Sequence, residues 1–217
     1  MGKEAANSIP AVKILFINAC LRGRERSRTD QLCRAFLDGL SRMANEQRLV
    51  VEEVNLAAEK LPCYGAEEIE QRAALLDAGR LEDPFFDFAR QYKAADLILC
   101  GAPYWDFSFP AALKSYFERI CVEEYTFCYT DEGPAGLCAF RDFVYITTCG
   151  GYVGGLDLGT DYARAIAGFT GQGAFHAYAC EGLDILGNHP ARILDKARGD
   201  MAALAESISL PQHTLHR

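Results

Sequence analysis

Arg22, Arg24, Arg26 and Arg28 alternate along the stretch Ala19–Thr29, in a chain whose 30 acidic residues outnumber its 22 Lys and Arg. Ser27 and Thr29 stand in the same stretch, and Asp30 follows Ser27 at capping-box spacing. A helix that begins here turns free N–H groups and the positive end of its dipole outward, a setting that suits a phosphate. The two hydroxyls add donors. The plain alternative is a solvated arginine loop with an ordinary Ser cap. Walker A spacing and G-x-G-x-x-G are both missing, which disfavours a nucleoside triphosphate site and a dinucleotide fingerprint.

Two further loops carry unusual chemistry. Gly101–Phe109 (GAPYWDFSF) packs Pro103, Tyr104, Trp105 and Phe107 around a single carboxylate, Asp106. Aromatic faces beside exposed backbone N–H groups suit a planar heteroaromatic ligand. Core packing is the competing account, and it is preferred for Phe107 and Phe109. Thr147–Gly155 (TTCGGYVGG) places Thr148, Cys149, Gly150 and Gly151 where backbone can approach a ligand closely. A flexible glycine turn is its plain alternative. A phosphate nest, an aromatic lip and a glycine loop together describe a mononucleotide with a flat ring, for which FMN is the best fit.

The elements that must position these loops follow from periodicity. Val12–Asn18 (VKILFIN) is a continuous apolar run of strand length, suited to a parallel sheet buried on both faces. Further strands are expected at Leu49–Val54, Leu97–Gly101, Phe143–Thr148 and Ala174–Cys180. Helices are expected at Thr29–Met43, with Leu32, Phe36, Leu37 and Leu40 on its apolar face, and at Glu67–Ala78 and Pro84–Ala94. Others are expected at Pro110–Cys121, Asp161–Phe169 and Ala191–Ile208. Alternating strands and helices imply an α/β three-layer sandwich around a five-stranded parallel sheet of order 2-1-3-4-5. Tyr125–Phe140 reads as a β-hairpin insertion on the sheet edge or over its mouth. Ligands in such a sheet bind beyond the carboxyl ends of the strands, where all three loops emerge.

Half of the 217 residues are hydrophobic, enough for one sizeable core, and the net charge of −8 argues against a nucleic-acid partner. No apolar stretch is long enough to enter a bilayer as a spanning helix, and residues 1–11 lack a secretory pattern and read as a leader. Residues 12–209 form the expected domain and 210–217 a tail. Nine scattered cysteines without a C-x-x-C read as free thiols of a cytoplasmic protein, with no metal site. The acidic pairs Glu52–Glu53, Glu67–Glu68 and Glu123–Glu124 read as solvated surface, since adjacent residues point to different faces. His176 reads as a structural histidine; His189, His213 and His216 fall near a helix start or in the tail.

The chain resembles the FMN-dependent NAD(P)H azoreductase and quinone reductase family, with its flavodoxin-like fold. The resemblance runs from Lys13 to about Glu206 and is carried most specifically by Thr126–Leu137 (TFCYTDEGPAGL). Ala102–Phe107, Leu113–Phe117, Ile146–Gly151 and Glu181–Gly182 match as well. It implies a homodimer with active sites at the subunit interface, and FMN phosphate held by Ser27, Arg28 and Thr29. It places the flavin ring on Pro103, Tyr104, Trp105, Asp106 and Phe107 and on Thr148, Cys149, Gly150 and Gly151. NADH or NADPH would pass a hydride to flavin N5, and a quinone, azo or nitro compound would then take the electrons from the same position.

Some positions depart from the family pattern. Ala19 stands where relatives often carry Ser, so one phosphate donor is missing and the arginines are expected to compensate. Asp106 stands where many carry Asn, and a carboxylate beside a ring that takes up electrons should lower its reduction potential. Val153 replaces a His found in some relatives, which leaves Tyr152 as the nearest proton donor; Tyr152 and Asp106 are therefore the catalytic candidates. Arg22, Arg24 or Arg26 could meet a nicotinamide 2′-phosphate, FMN or only solvent. Cys149 is expected at the flavin edge, redox-sensitive if exposed. A flavodoxin-like electron carrier or a non-catalytic flavin-binding module is the alternative reading.

Overall fold

The computed structural model describes residues 11–44, 48–59, 61–208 and 210. The expected leader and tail, with His213 and His216, lie outside the described residues except for Ala11 and Leu210. The sheet is parallel. Strands β1 (Val12–Asn18), β2 (Leu49–Asn55), β3 (Leu97–Gly101), β6 (Asp142–Thr148) and β7 (Ala174–Cys180) lie in the order β2-β1-β3-β6-β7. That is the expected 2-1-3-4-5 order, with β4 (Phe127–Thr130) and β5 (Gly133–Gly136) forming a separate antiparallel pair.

Alternation along the central strands feeds two cores. Ile14 and Phe16 of β1, Leu97 and Leu99 of β3, and Val144 and Ile146 of β6 face α1 (Arg28–Met43) and α6 (Pro190–Ser207). Leu15, Ile17, Ile98, Phe143 and Tyr145 face α4 (Ala111–Ile120) and α5 (Leu158–Thr170) on the other side. Leu32, Cys33, Phe36 and Leu40 of α1 are fully buried, while Leu37 is half-buried at the margin of the stripe. Each large apolar side chain buried there contributes about 1.5–3 kcal/mol. The edge strands β2 and β7 keep exposed residues along their length.

Several helix ends differ from expectation for local reasons. The expected helix at Pro84 opens as a 3-10 turn over Pro84–Phe86, capped by the Asp83 carboxylate, before α3 (Asp87–Lys93). Pro110 is the N-cap of α4 rather than a residue of its first turn. Helix α5 begins at Leu158, ahead of the expected Asp161, because Asp157 Oδ1 accepts from Thr160 N at 2.9 Å. Helix α2 (Ala66–Asp77) is shifted by one residue and rests on Leu75. His189 is the N-cap of α6, and His176 Nε2 meets Asp142 Oδ1 at 2.8 Å, as a structural histidine would.

The hairpin β4–β5 packs by its base on the end of α5. Phe127 and Phe169 rings are 4.2 Å apart, Cys138 N donates to Thr170 O, and Gly136 lies directly against Gly171. Helix α5 ends where β7 begins, so this base lies at the amino ends of the strands, away from the mouth of the sheet. Among the described residues no helix is long and apolar enough to cross a membrane.

Candidate functional site

Strand β1 ends in Asn18, and the chain then turns through exposed Leu21–Arg26 into α1. Ser27 caps that helix: its Oγ accepts from Asp30 N at 3.1 Å. The reciprocal half of the expected capping box does not form, because Ser27 N donates to Gly23 O and the Asp30 carboxylate is drawn to Asn18 and Arg34. At the helix start, the N–H groups of Arg28 and Thr29 meet no acceptor among the described residues. Those are the donors that an anion takes up.

The aromatic loop follows β3 and is shaped by a tight turn. Trp105 and Ser108 exchange backbone hydrogen bonds of 3.0 and 2.8 Å around Asp106 and Phe107. Both central residues are left-handed, with φ of 49° and 68°, as a type I′ turn requires. Asp tolerates this conformation; Phe107 is strained in it. Tyr104 ties the loop to its neighbours, its N–H donating to Thr148 O at 3.0 Å and its hydroxyl to Leu156 O at 2.9 Å. Trp105 stays 40% exposed.

The third loop leaves β6 at Thr148. Thr148 Oγ1 lies 2.7 Å from Thr29 Oγ1, so the glycine loop and the first turn of α1 share a buried hydroxyl pair. Gly150 lacks a Cβ for a reason visible in its neighbour: a Cβ there would stand 2.6 Å from Asp184 Oδ2. Asp184 in turn reaches Arg28 Nη1 at 2.8 Å, a bridge from the segment after β7 to the start of α1.

These loops enclose a cleft of about 120 Å³ that opens to solvent. Of the expected contact residues, Ser27, Arg28 and Thr29, then Pro103, Tyr104 and Trp105, then Thr148, Cys149 and Gly150 line it together. Asp106, Phe107, Gly151 and Tyr152 do not line it. Phe107 also departs from the packing role expected of it: it is 57% exposed, because the left-handed turn throws it outward from the core. Tyr152 is exposed, its hydroxyl accepting from Asn188 Nδ2 at 3.3 Å. Ala19 is fully buried in the core below the loop.

Sequence reasoning missed Cys20, Leu21, Leu183 and Asp184 in the lining. The Glu181–Gly182 match pointed to the right segment, but only the close passage of Asp184 over Gly150 brings it to the cleft. The arginines divide: Arg22 and Arg26 line the cleft with Arg28, whereas Arg24 turns to Glu53 at 3.4 Å. Glu53 is thus no solvated member of an acidic pair; it also accepts from Asn18 and Arg34. Cys149 is buried, and burial pushes its thiol up and carries that of Cys20 to about 12, which disfavours the reactive thiolate at both. A redox role for Cys149 finds no support in that setting.

Cationic Arg22 and Arg26, the Ser27 and Thr29 hydroxyls and free helix N–H groups at one end, with aromatic faces beside them, fit a phosphate monoester joined to a flat ring. The comparisons agree. A family model described as flavodoxin-like fold matches residues 12–205. An FMN-dependent NADH:quinone oxidoreductase of Lachnoclostridium phytofermentans is 33% identical over 177 residues, covering 81% of this chain and 88% of its own. A second enzyme so named, from Clostridium acetobutylicum, is 32% identical and covers 84% of this chain and 92% of its own. The crystal structure of a Bacillus anthracis azoreductase superposes with a TM-score of 0.77 at 23% identity, covering 91% of this chain and all of its own, which supports the fold. Residues 12–205 carry the family's pattern end to end, and the chain belongs to the flavodoxin-like family that includes the FMN-dependent NADH:quinone oxidoreductases.

Proposed function

We propose that the protein is an FMN-dependent NADH oxidoreductase that reduces quinone, azo or similar small acceptors. The observation that carries this reading is that one cleft is lined both by Ser27, Thr29 and Thr148 and by Pro103, Tyr104 and Trp105. FMN, when bound, supplies the transfer of reducing equivalents from the nicotinamide to the acceptor. The chain's part is to bind and orient. Ser27, Thr29, Arg22, Arg26 and Arg28 would hold the phosphate; Pro103, Tyr104 and Trp105 would flank the ring with Cys149 and Gly150. The N–H groups of Asp106 and Phe107, which meet no acceptor among the described residues, would serve the ring edge. Tyr152 is the proposed proton donor on the exposed side, with Asn188 holding its hydroxyl.

NADH is the preferred reductant because the relatives are named for it; NADPH is the competing donor. All nine cysteines are free, in keeping with a reducing, cytoplasmic setting. A homodimer is proposed on the exposed apolar residues Trp105, Phe107, Leu156 and Leu158 beside the cleft, where Phe107 O accepts from Leu158 N at 3.1 Å. Sedimentation of the Leu158→Asp variant as a monomer would support that face. The central test is anaerobic: the protein reconstituted with FMN should lose its flavin absorbance on adding NADH and regain it on adding a quinone. A stable one-electron intermediate and no steady turnover would favour the electron carrier instead.

A further inference from the structure

Beneath the phosphate loop lies a polar network that takes no part in lining the cleft. Asn18, the last residue of β1, uses every hydrogen-bonding group of its side chain. Its Oδ1 accepts from Cys20 N at 3.0 Å, and its Nδ2 donates to Asp30 Oδ1 and to Glu53 Oε1, both at 2.8 Å. Arg34, one turn along α1 from Asp30, grips both Asp30 oxygens at 2.8 and 3.1 Å and both Glu53 oxygens at 3.1 and 3.2 Å. Arg24 leans on Glu53 from above the loop. Asp30 is fully buried.

Burying the Asp30 charge costs stability relative to apolar packing unless its oxygens are paired, as they are here by Asn18 and Arg34. A helix cap would not need it, since the Ser27 hydroxyl already satisfies Asp30 N. What the network adds is control of residues 19–27: Cys20 at the loop's start, Arg24 in its middle and Ser27 at its end all answer to one set of bonds. Glu53 stands apart from the rest because it belongs to β2, a neighbouring strand rather than to the loop or its helix.

We infer that Glu53 is a positioning residue for the cofactor phosphate, bracing Asn18, Arg34 and Arg24 so that the loop holds its donors in place. The inference rests on the FMN reading above. It also assigns the arginines: Arg24 serves the brace, and Arg22, Arg26 and Arg28 remain at the cleft. Phosphate binding then depends on a carboxylate that does not touch the phosphate.

Riboflavin, which shares the ring but lacks the phosphate, separates the brace from general damage. Dissociation constants for FMN and riboflavin are measured by flavin fluorescence on the full chain, wild type and variants, with a urea midpoint for each. The wild type should prefer FMN by about 100-fold, the scale of a few charge-assisted hydrogen bonds. Glu53→Ala should weaken FMN about tenfold and leave riboflavin within about twofold. Glu53→Gln, which keeps the shape and an acceptor for Asn18, should fold with only a modestly lower urea midpoint at neutral pH and lose about threefold toward FMN alone. Equal losses for both ligands, or no loss for either, would overturn the inference while leaving the FMN reading intact. A wild type that binds the two flavins equally would overturn the phosphate reading, and the role of Glu53 with it.

Discussion

Thr29 Oγ1 and Thr148 Oγ1 stand 2.7 Å apart at the floor of the cleft, although 119 residues separate them in sequence. One hydroxyl must donate to the other, so the phosphate end and the ring end of the cleft share a buried bond. Thr148→Val keeps the shape and leaves Thr29 unpaired. Stability should fall by about 1–2 kcal/mol and FMN affinity by roughly tenfold. Urea unfolding and a flavin titration measure the two; a neutral variant would show that the pair is incidental.

Gly150 gives Asp184 room to cross to Arg28. In Gly150→Ala the methyl group would meet Asp184 Oδ2, the end of an exposed and movable side chain. The cost in stability should therefore stay below about 1 kcal/mol. FMN binding should weaken by several-fold, since the displaced carboxylate frees Arg28 from its set position. A large drop in the melting temperature would instead mean that the loops cannot yield.

Asp106 occupies the left-handed first position of the turn, where Asn is equally at ease. Asp106→Asn thus removes a charge without disturbing the backbone. The flavin midpoint potential should rise by about 10–30 mV, the scale of a solvated charge at close range. Redox titration decides it, and an unchanged or lower potential would rule out an electrostatic role.

Glu53 makes stability depend on acid in a defined direction. Burial raises its carboxyl, but hydrogen bonds from Asn18 and Arg34 and the charges of Arg34 and Arg24 outweigh burial and bring it below the ordinary 4.5. With the folded value below the unfolded one, the stabilisation is complete above the unfolded value. It is lost as pH falls through the folded value. The urea midpoint should hold between about pH 7 and pH 5 and then decline below the ordinary carboxyl value. Glu53→Gln should show a shallower acid decline than the wild type.

The sequence by itself determined the sheet order, a sheet covered on both faces and three loops of unusual composition at one sheet edge. Those features are local or periodic: β1 is apolar throughout because both faces are covered, and α1 repeats its stripe at helical spacing. Ser27 and Thr29, Pro103 to Trp105, and Thr148 to Gly150 were legible for the same reason. Tertiary structure alone decided the rest. A left-handed turn at Asp106 and Phe107 sends Phe107 to solvent, and no residue pattern marks it in advance without a glycine. Asp184 enters the cleft only because a glycine lies beneath it, and Glu53 joins a bonded network only because parallel pairing with β1 sets it beside Asn18 and Arg34. Charge and hydrogen bonding act across space, so the role of a carboxylate follows from which cations and amides the fold brings to it.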